Sequence, residues 1–125
     1  GWFKAKETDV ESEHVYFKKV KLPCADKPIV LSEFGGYSYK VEGHIFNPDN
    51  TYGYRFFKEQ NKFEDALVSL SENEIAPLVQ DGLCGAIYTQ LSDVEDETNG
   101  LLTYDRKVLK VSKERMLAIA EKLKI

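Results

Sequence analysis

The sequence predicts an α/β fold with parallel strands, on three observations. Two short apolar runs, at residues 28–36 and 85–90, have the length and composition of strands buried on both faces. A helical repeat of apolar residues lies between them, and a second amphipathic helix closes the chain. Strands that alternate with helices favour a parallel sheet, because parallel neighbours need a long crossover connection.

In chain order, residues 10–21 come first. Val15, Phe17 and Val20 sit there among polar residues and predict a strand. The next strand, 28–36, holds Ile29, Val30 and Leu31 and ends in Ser32-Glu33-Phe34-Gly35-Gly36, where the glycine pair marks a sharp exit. Residues 37–54 form a long polar, aromatic and glycine-rich loop. Asn61 and Glu64 have the spacing of a capping box, with Asn61 as cap. Phe63, Leu67, Leu70, Ile75 and Leu78 then follow helical spacing, Pro77 predicts a kink, and Gly82 a stop. The strand 85–90 is followed by an acidic loop, 92–100. Ser112 is a good N-cap for a last helix whose apolar stripe is Met116, Ile119, Ala120 and Leu123.

Composition bounds the function. The 125 residues make one domain, 1–125, with 42% hydrophobic, 12% aromatic and 30% charged content, enough apolar material for a real core. Seventeen basic against 21 acidic residues give a net charge of −4, which argues against a nucleic-acid partner. No stretch is long and apolar enough to span a bilayer, so no membrane partner is expected. The two cysteines, Cys24 and Cys84, make no disulfide framework and favour a reduced, cytoplasmic setting over a secreted one. There is no Cys-x-x-Cys, and His14 and His44 lie far apart, so no zinc site is expected. Phosphate-binding glycine loops and the Gly-x-Ser-x-Gly elbow are absent, and no cofactor is expected.

Glu33 is the residue that points most directly to chemistry. It stands at the C-terminal end of an apolar strand, where parallel α/β folds place their ligands, and a carboxylate there pays a desolvation penalty unless it is paired or functional. On the second strand, period-two alternation puts Tyr88 and Gln90 on one side. Asp93, Glu95, Asp96 and Glu97 put four carboxylates within five residues, a set suited to calcium or, more simply, to a solvated loop. Asp9, His14 and Tyr16 cluster at the first strand. Asn73-Glu74 falls mid-helix in a charged, exposed setting. Tyr37, Tyr39, Phe46, Tyr52, Tyr54, Phe56 and Phe57 either stack on sugar rings, whose C–H faces are apolar, or form the core of a folded loop.

The run Pro28-Ile29-Val30-Leu31-Ser32-Glu33-Phe34-Gly35-Gly36 resembles the nucleophile strand of glycoside hydrolase family 2, which includes β-galactosidases, β-glucuronidases and β-mannosidases. The run from Gly85-Ala86-Ile87-Tyr88-Thr89-Gln90 through Asp93-Val94-Glu95 to Asn99-Gly100-Leu101-Leu102-Thr103-Tyr104-Asp105-Arg106 resembles that family's last barrel strand and its loop. Gly1-Trp2-Phe3, and Asp9-Val10 to Tyr16, are similar to the preceding barrel section. Such a barrel needs about 250 residues. The resemblance therefore implies a partial (β/α)8 TIM barrel, the last three β/α units, with the N-terminal part of the barrel as a missing partner.

Residue by residue, the resemblance makes Glu33 the nucleophile of a retaining β-glycosidase, β-galactosidase-like in its choice of terminal β-linked sugars. Tyr16 supports Glu33 by hydrogen bonding, Tyr88 lies at the sugar platform, and Gln90 donates to substrate hydroxyls. The family's acid/base glutamate belongs to an Asn-Glu pair on an earlier strand with no counterpart here, which implies a chain inactive alone. Val30 and Ile87 would then lack neighbours, and the isolated chain would self-associate. The alternatives are a non-catalytic carbohydrate-binding domain and an oligomerising α/β domain.

Overall fold

A computed structural model describes residues 3–124. Gly1 and Trp2, part of the weaker resemblance at the start, lie outside the described residues.

The fold is mixed α/β with two small parallel sheets. Strands β1 (Glu11–Val15), β2 (Ile29–Gly35) and β5 (Leu83–Thr89) form a three-stranded sheet in the order β1-β2-β5. Strands β3 (Tyr37–Tyr39) and β4 (Arg55–Phe57) form a two-stranded one. Helix α1 (Gln60–Leu70) runs through a π-helical turn (Ser71–Ile75) into α2 (Ala76–Gln80), and α3 (Lys113–Lys122) closes the chain. Among the described residues the sheets do not close into a barrel.

The helices cover one face of the larger sheet. Ile29, Leu31 and Phe34 of β2 pack with Val15, Leu83, Leu70 and Ile75, and a second cluster joins Phe63 and Leu67 of α1 to Val111 and Ile119. Each such side chain contributes roughly 1.5–3 kcal/mol on burial. The other face is open. Ile87 of β5 is exposed there by 60%. The expectation of a second strand buried on both faces is therefore corrected: only the helix-facing side of β5 has a covering layer.

One irregularity in β2 matters for the site. Leu31 and Phe34 are three residues apart, yet both enter the same core. Strict alternation would put them on opposite faces. The register resolves this: Glu13 pairs with Leu31, but His14 pairs with Glu33, so Ser32 is an extra residue and β2 carries a bulge. The shift repeats against β5, between Leu31 and Phe34. The bulge returns Phe34 to the core and leaves Glu33 for the open face.

Three other expectations change in detail. The first strand ends at Val15, not at 21, because Phe17 turns the backbone to φ 60°. Asn61 does not cap α1: the helix begins at Gln60 after Glu59, and Asn61 sits inside the first turn, where it accepts from Lys62 N at 2.9 Å. Its supposed capping partner Glu64 instead accepts from Ser112 N at 2.7 Å and pairs with Arg115, tying α1 to the start of α3. The region around Pro77 does not simply kink. Pro77 has no N–H to give, and the ladder passes through the π-helical turn before α2 restarts with the proline in its first turn. Ser112 caps α3 as expected, accepting from Arg115 N at 3.4 Å.

Candidate active site

Alternation on β1 sends Ser12 and His14 to the open face, alongside Ser32 and Glu33, and Tyr16 follows directly after the strand. Ser12 Oγ meets Ser32 Oγ at 2.7 Å. His14 Nδ1 lies 3.3 Å from Glu33 Oε2, and Tyr16 donates its phenol hydrogen to the same oxygen at 2.9 Å. Tyr16 Oη also lies 2.9 Å from Thr89 Oγ1. A phenol has one hydrogen, so Thr89 donates to Tyr16 while Tyr16 donates to Glu33. Tyr16 just past β1, Glu33 of β2 and Thr89 of β5 thus form a single chain of hydrogen bonds at the C-terminal ends of the three strands. Burial, more than the neighbouring carboxylate, pushes the Tyr16 phenol well above its ordinary range, so it stays a proton donor. The Glu33 side chain remains 43% exposed and open to a ligand.

The glycine pair after Glu33 makes room for two aromatics. Gly35 (φ +91°) and Gly36 (φ +67°) adopt conformations that favour glycine, and a Cβ on either would stand 2.2 Å from a ring carbon, of Tyr88 and Tyr54 respectively. Tyr54 stacks flat on Tyr16, with centroids 4.0 Å apart and planes 6° off parallel. Tyr52 and Phe17 meet Tyr54 at their edges, at 5.5 and 5.1 Å. Burial and the hydroxyl of Tyr52, with smaller contributions from Glu97 and Glu33, push the Tyr54 phenol up to about 12.

The expected pair Tyr88 and Gln90 does not share a side. The strand ends at Thr89, so alternation does not reach Gln90. Tyr88 packs edge-on to Phe34 at 5.6 Å on the core side, and burial pushes its phenol up. Gln90 turns into the following loop, where its amide donates to Glu97 Oε2 and Asn99 Oδ1, each at 2.7 Å.

The acidic loop is not a cation cage. Among the described residues no group of three or more His, Cys, Asp or Glu is placed to hold a metal. Asp93 is buried against Lys110, Asp96 takes Asn47 and Asn50, and Glu97 takes Gln90. The Asp96 bonds, with Tyr52 N donating to Asp96 O and Thr98 N to Tyr52 O, clasp residues 41–54 to residues 92–105. His44 Nδ1 donates to Asp105 Oδ2 at 2.8 Å on the same seam, and Phe46 meets Tyr104 edge-to-face. Tyr52 and Tyr54 are positioned by that clasp. Asp9 precedes β1, at the end of the sheet remote from Glu33. Asn73 is exposed as expected, but Glu74 is half-buried and accepts from Val20 N at 3.0 Å.

Two participants escaped the sequence reading. Thr89 carried no signal beyond its place beside Tyr88. Lys110 was hidden in a polar stretch, yet its side chain is 0% exposed, with Nζ 2.6 Å from Asp93 Oδ1 and 3.0 Å from Thr98 O.

No protein-family model matches the chain, and no curated protein matches it significantly. Among the described residues no helix is long and apolar enough to cross a membrane. Both cysteines are exposed thiols.

Proposed function

We propose that this chain is the nucleophile-bearing C-terminal section of the barrel of a retaining β-glycosidase of the family 2 kind, β-galactosidase-like in its preference for terminal β-linked sugars. The observation that carries this is the Tyr16–Glu33 hydrogen bond at the open end of the middle strand. Tyr16 and His14 both engage Oε2, which leaves Oε1 to attack the anomeric carbon. The phenol holds the carboxylate in one orientation, and Thr89 fixes the phenol in turn.

In the retaining mechanism the Glu33 carboxylate forms a glycosyl ester while a second carboxyl, roughly 5–5.5 Å away, protonates the leaving oxygen. Water then cleaves the ester, with the second carboxylate now acting as base. That partner belongs to the N-terminal part of the barrel, so the chain alone is inactive. Tyr52, half exposed, offers a ring face to the sugar. Gln90 acts by holding Glu97 and Asn99 at the rim, and Tyr88 by supporting the floor from the core side.

The outer strands β1 and β5 are where the missing barrel strands pair, and in the isolated chain a second copy takes their place. A strictly monomeric chain in sedimentation would contradict that part. The functional test is turnover of aryl β-glycosides by the complete parent enzyme and its Glu33→Gln variant. We expect the variant to lose activity by a factor of about 10³ or more, as for removal of a covalent nucleophile. Normal turnover would overturn the assignment.

A further inference from the structure

A cleft of about 300 Å³ lies beside the Tyr16–Tyr54 stack, between the loop after β1 and the helical layer. Phe17, Lys18, Lys19, Tyr54, Arg55 and Glu74 are among its walls; Tyr16 is shared with the carboxylate cluster, but Glu33, His14 and Thr89 do not line the cleft. We propose that this cleft binds a small ring bearing an oxyanion, a phosphorylated or sulfated monosaccharide.

Charge is the first ground. The chain as a whole carries −4, yet three cations line this cleft against one carboxylate. That carboxylate, Glu74, already accepts from the Val20 backbone N–H. A neighbouring cleft of about 330 Å³ shares Lys18 and Lys19 and adds Lys21, and its one acid, Glu13, is held by Lys4. A local reversal of sign inside a concave surface concentrates anions. Arg55 is also held in place, with its guanidinium 5.5 Å from the centre of the Tyr37 ring and 5.1 Å from that of Phe57. A fixed guanidinium matches the fork geometry of a tetrahedral oxyanion.

Ring faces are the second ground. Phe17 is 82% exposed and sits at φ 60°, a conformation that a bulky side chain rarely adopts. Its neighbours Tyr16 and Val20 are buried, so the loop is anchored on both sides while Phe17 is turned outward. Strained, exposed aromatics of this kind gather at ligand sites. Phe17 and Tyr54, ring edge to ring face at 5.1 Å, form an apolar corner suited to the C–H face of a pyranose, with the cations in reach of its substituent. The cleft volume is at the small end of the range for small-molecule sites, which suits one sugar ring rather than an oligomer.

The proposal does not rest on the glycosidase reading, and its test does not use turnover. The 125-residue chain is titrated by calorimetry at physiological salt with glucose 6-phosphate, glucose 6-sulfate, glucose and inorganic phosphate. We expect at least one of the two charged sugars to bind about tenfold or more tighter than both glucose and inorganic phosphate, the equivalent of one good charged contact. Arg55→Gln, and Lys18→Gln with Lys19→Gln, should each weaken that binding about tenfold with the near-ultraviolet circular dichroism unchanged. Phe17→Ala should weaken the charged sugar but not inorganic phosphate. Equal affinity for glucose and the charged sugars, equal affinity for inorganic phosphate and the charged sugars, indifference to the charge variants, or no saturable binding up to about 10 mM would each overturn the proposal.

Discussion

Replacing Lys110 with Met should be among the most damaging single changes to this chain. The ammonium is wholly buried, 2.6 Å from Asp93 Oδ1 and 3.0 Å from the Thr98 carbonyl, and Asp93 is 5% exposed. Asp93 Oδ1 also accepts from Gly100 N at 2.8 Å, so one carboxylate oxygen gathers both sides of the loop that carries Glu97 and Asn99. Methionine fills a similar volume but leaves the carboxylate buried with one backbone donor. Breaking a buried pair in this way costs about 3–5 kcal/mol. That is a large part of the roughly 5–15 kcal/mol that holds a domain of this size, and it lowers the unfolding midpoint by about 10–20 °C. Thermal and urea unfolding followed by far-ultraviolet circular dichroism measure it. Asp93→Asn with Lys110→Met removes the uncompensated charge, keeps an acceptor for Gly100, and should recover more than half of the loss. Burial already raises the Asp93 pKa against the opposing pull of Lys110. Without Lys110 the folded state holds that proton more readily than the unfolded chain does. The penalty is then full above the raised folded value and relieved as pH falls through it toward the ordinary 3.8, so the gap between variant and wild type should narrow in acid. A Lys110→Met chain as stable as wild type, or a double variant no better than the single, would refute the reasoning.

Two further outcomes follow from the same geometry. Tyr16→Phe removes the hydrogen bond to Glu33 and the one from Thr89 but keeps the stack on Tyr54; in the complete enzyme it should lower kcat about 10–100-fold, the worth of a charge-assisted hydrogen bond, and unchanged kinetics would show that Glu33 needs no such support. The Thr103 hydroxyl, and after it His44, hold the Asp105 carboxyl well below its ordinary 3.8, so the folded state favours its charged form. That contribution is present above 3.8 and is lost as pH falls below it toward the folded value. Asp105→Asn should therefore flatten the acid limb of stability between about pH 5 and pH 2, and an unaltered limb would contradict the bond network.

Much of this site was legible in the residues, and the gaps have physical causes. Glu33 at the end of an apolar strand, the parallel neighbours β2 and β5, and the Ser112 cap all follow from local pattern. The bulge at Ser32 does not, because periodicity assumes alternation and strict alternation would group Glu33 with Leu31 on the core side. Tyr88 and Gln90 part company for a related reason: the strand that would have kept them together ends between them. Asn61 looked like a cap because spacing carries no register, and Glu64 found its partner far along the chain in Ser112. Lys110 is the clearest case of a long-range cause. Only Asp93 makes its burial tolerable, and nothing in the residues around Lys110 announces that pairing. The acidic loop read as a cation site or a solvated run, yet Asp93, Asp96 and Glu97 each have their own protein partner, an outcome that composition cannot distinguish from either.

The most direct test of the central claim is covalent capture in the complete parent enzyme. A panel of 2-deoxy-2-fluoro β-glycosides slows hydrolysis of a glycosyl ester enough for it to accumulate, and peptide mass spectrometry then locates the sugar. We predict a single fluorosugar on the peptide that contains Glu33, released on reactivation with an acceptor. A trapped sugar on any other carboxylate would contradict the account, as would rapid turnover of the complete enzyme on the parent glycosides with no covalent adduct at all.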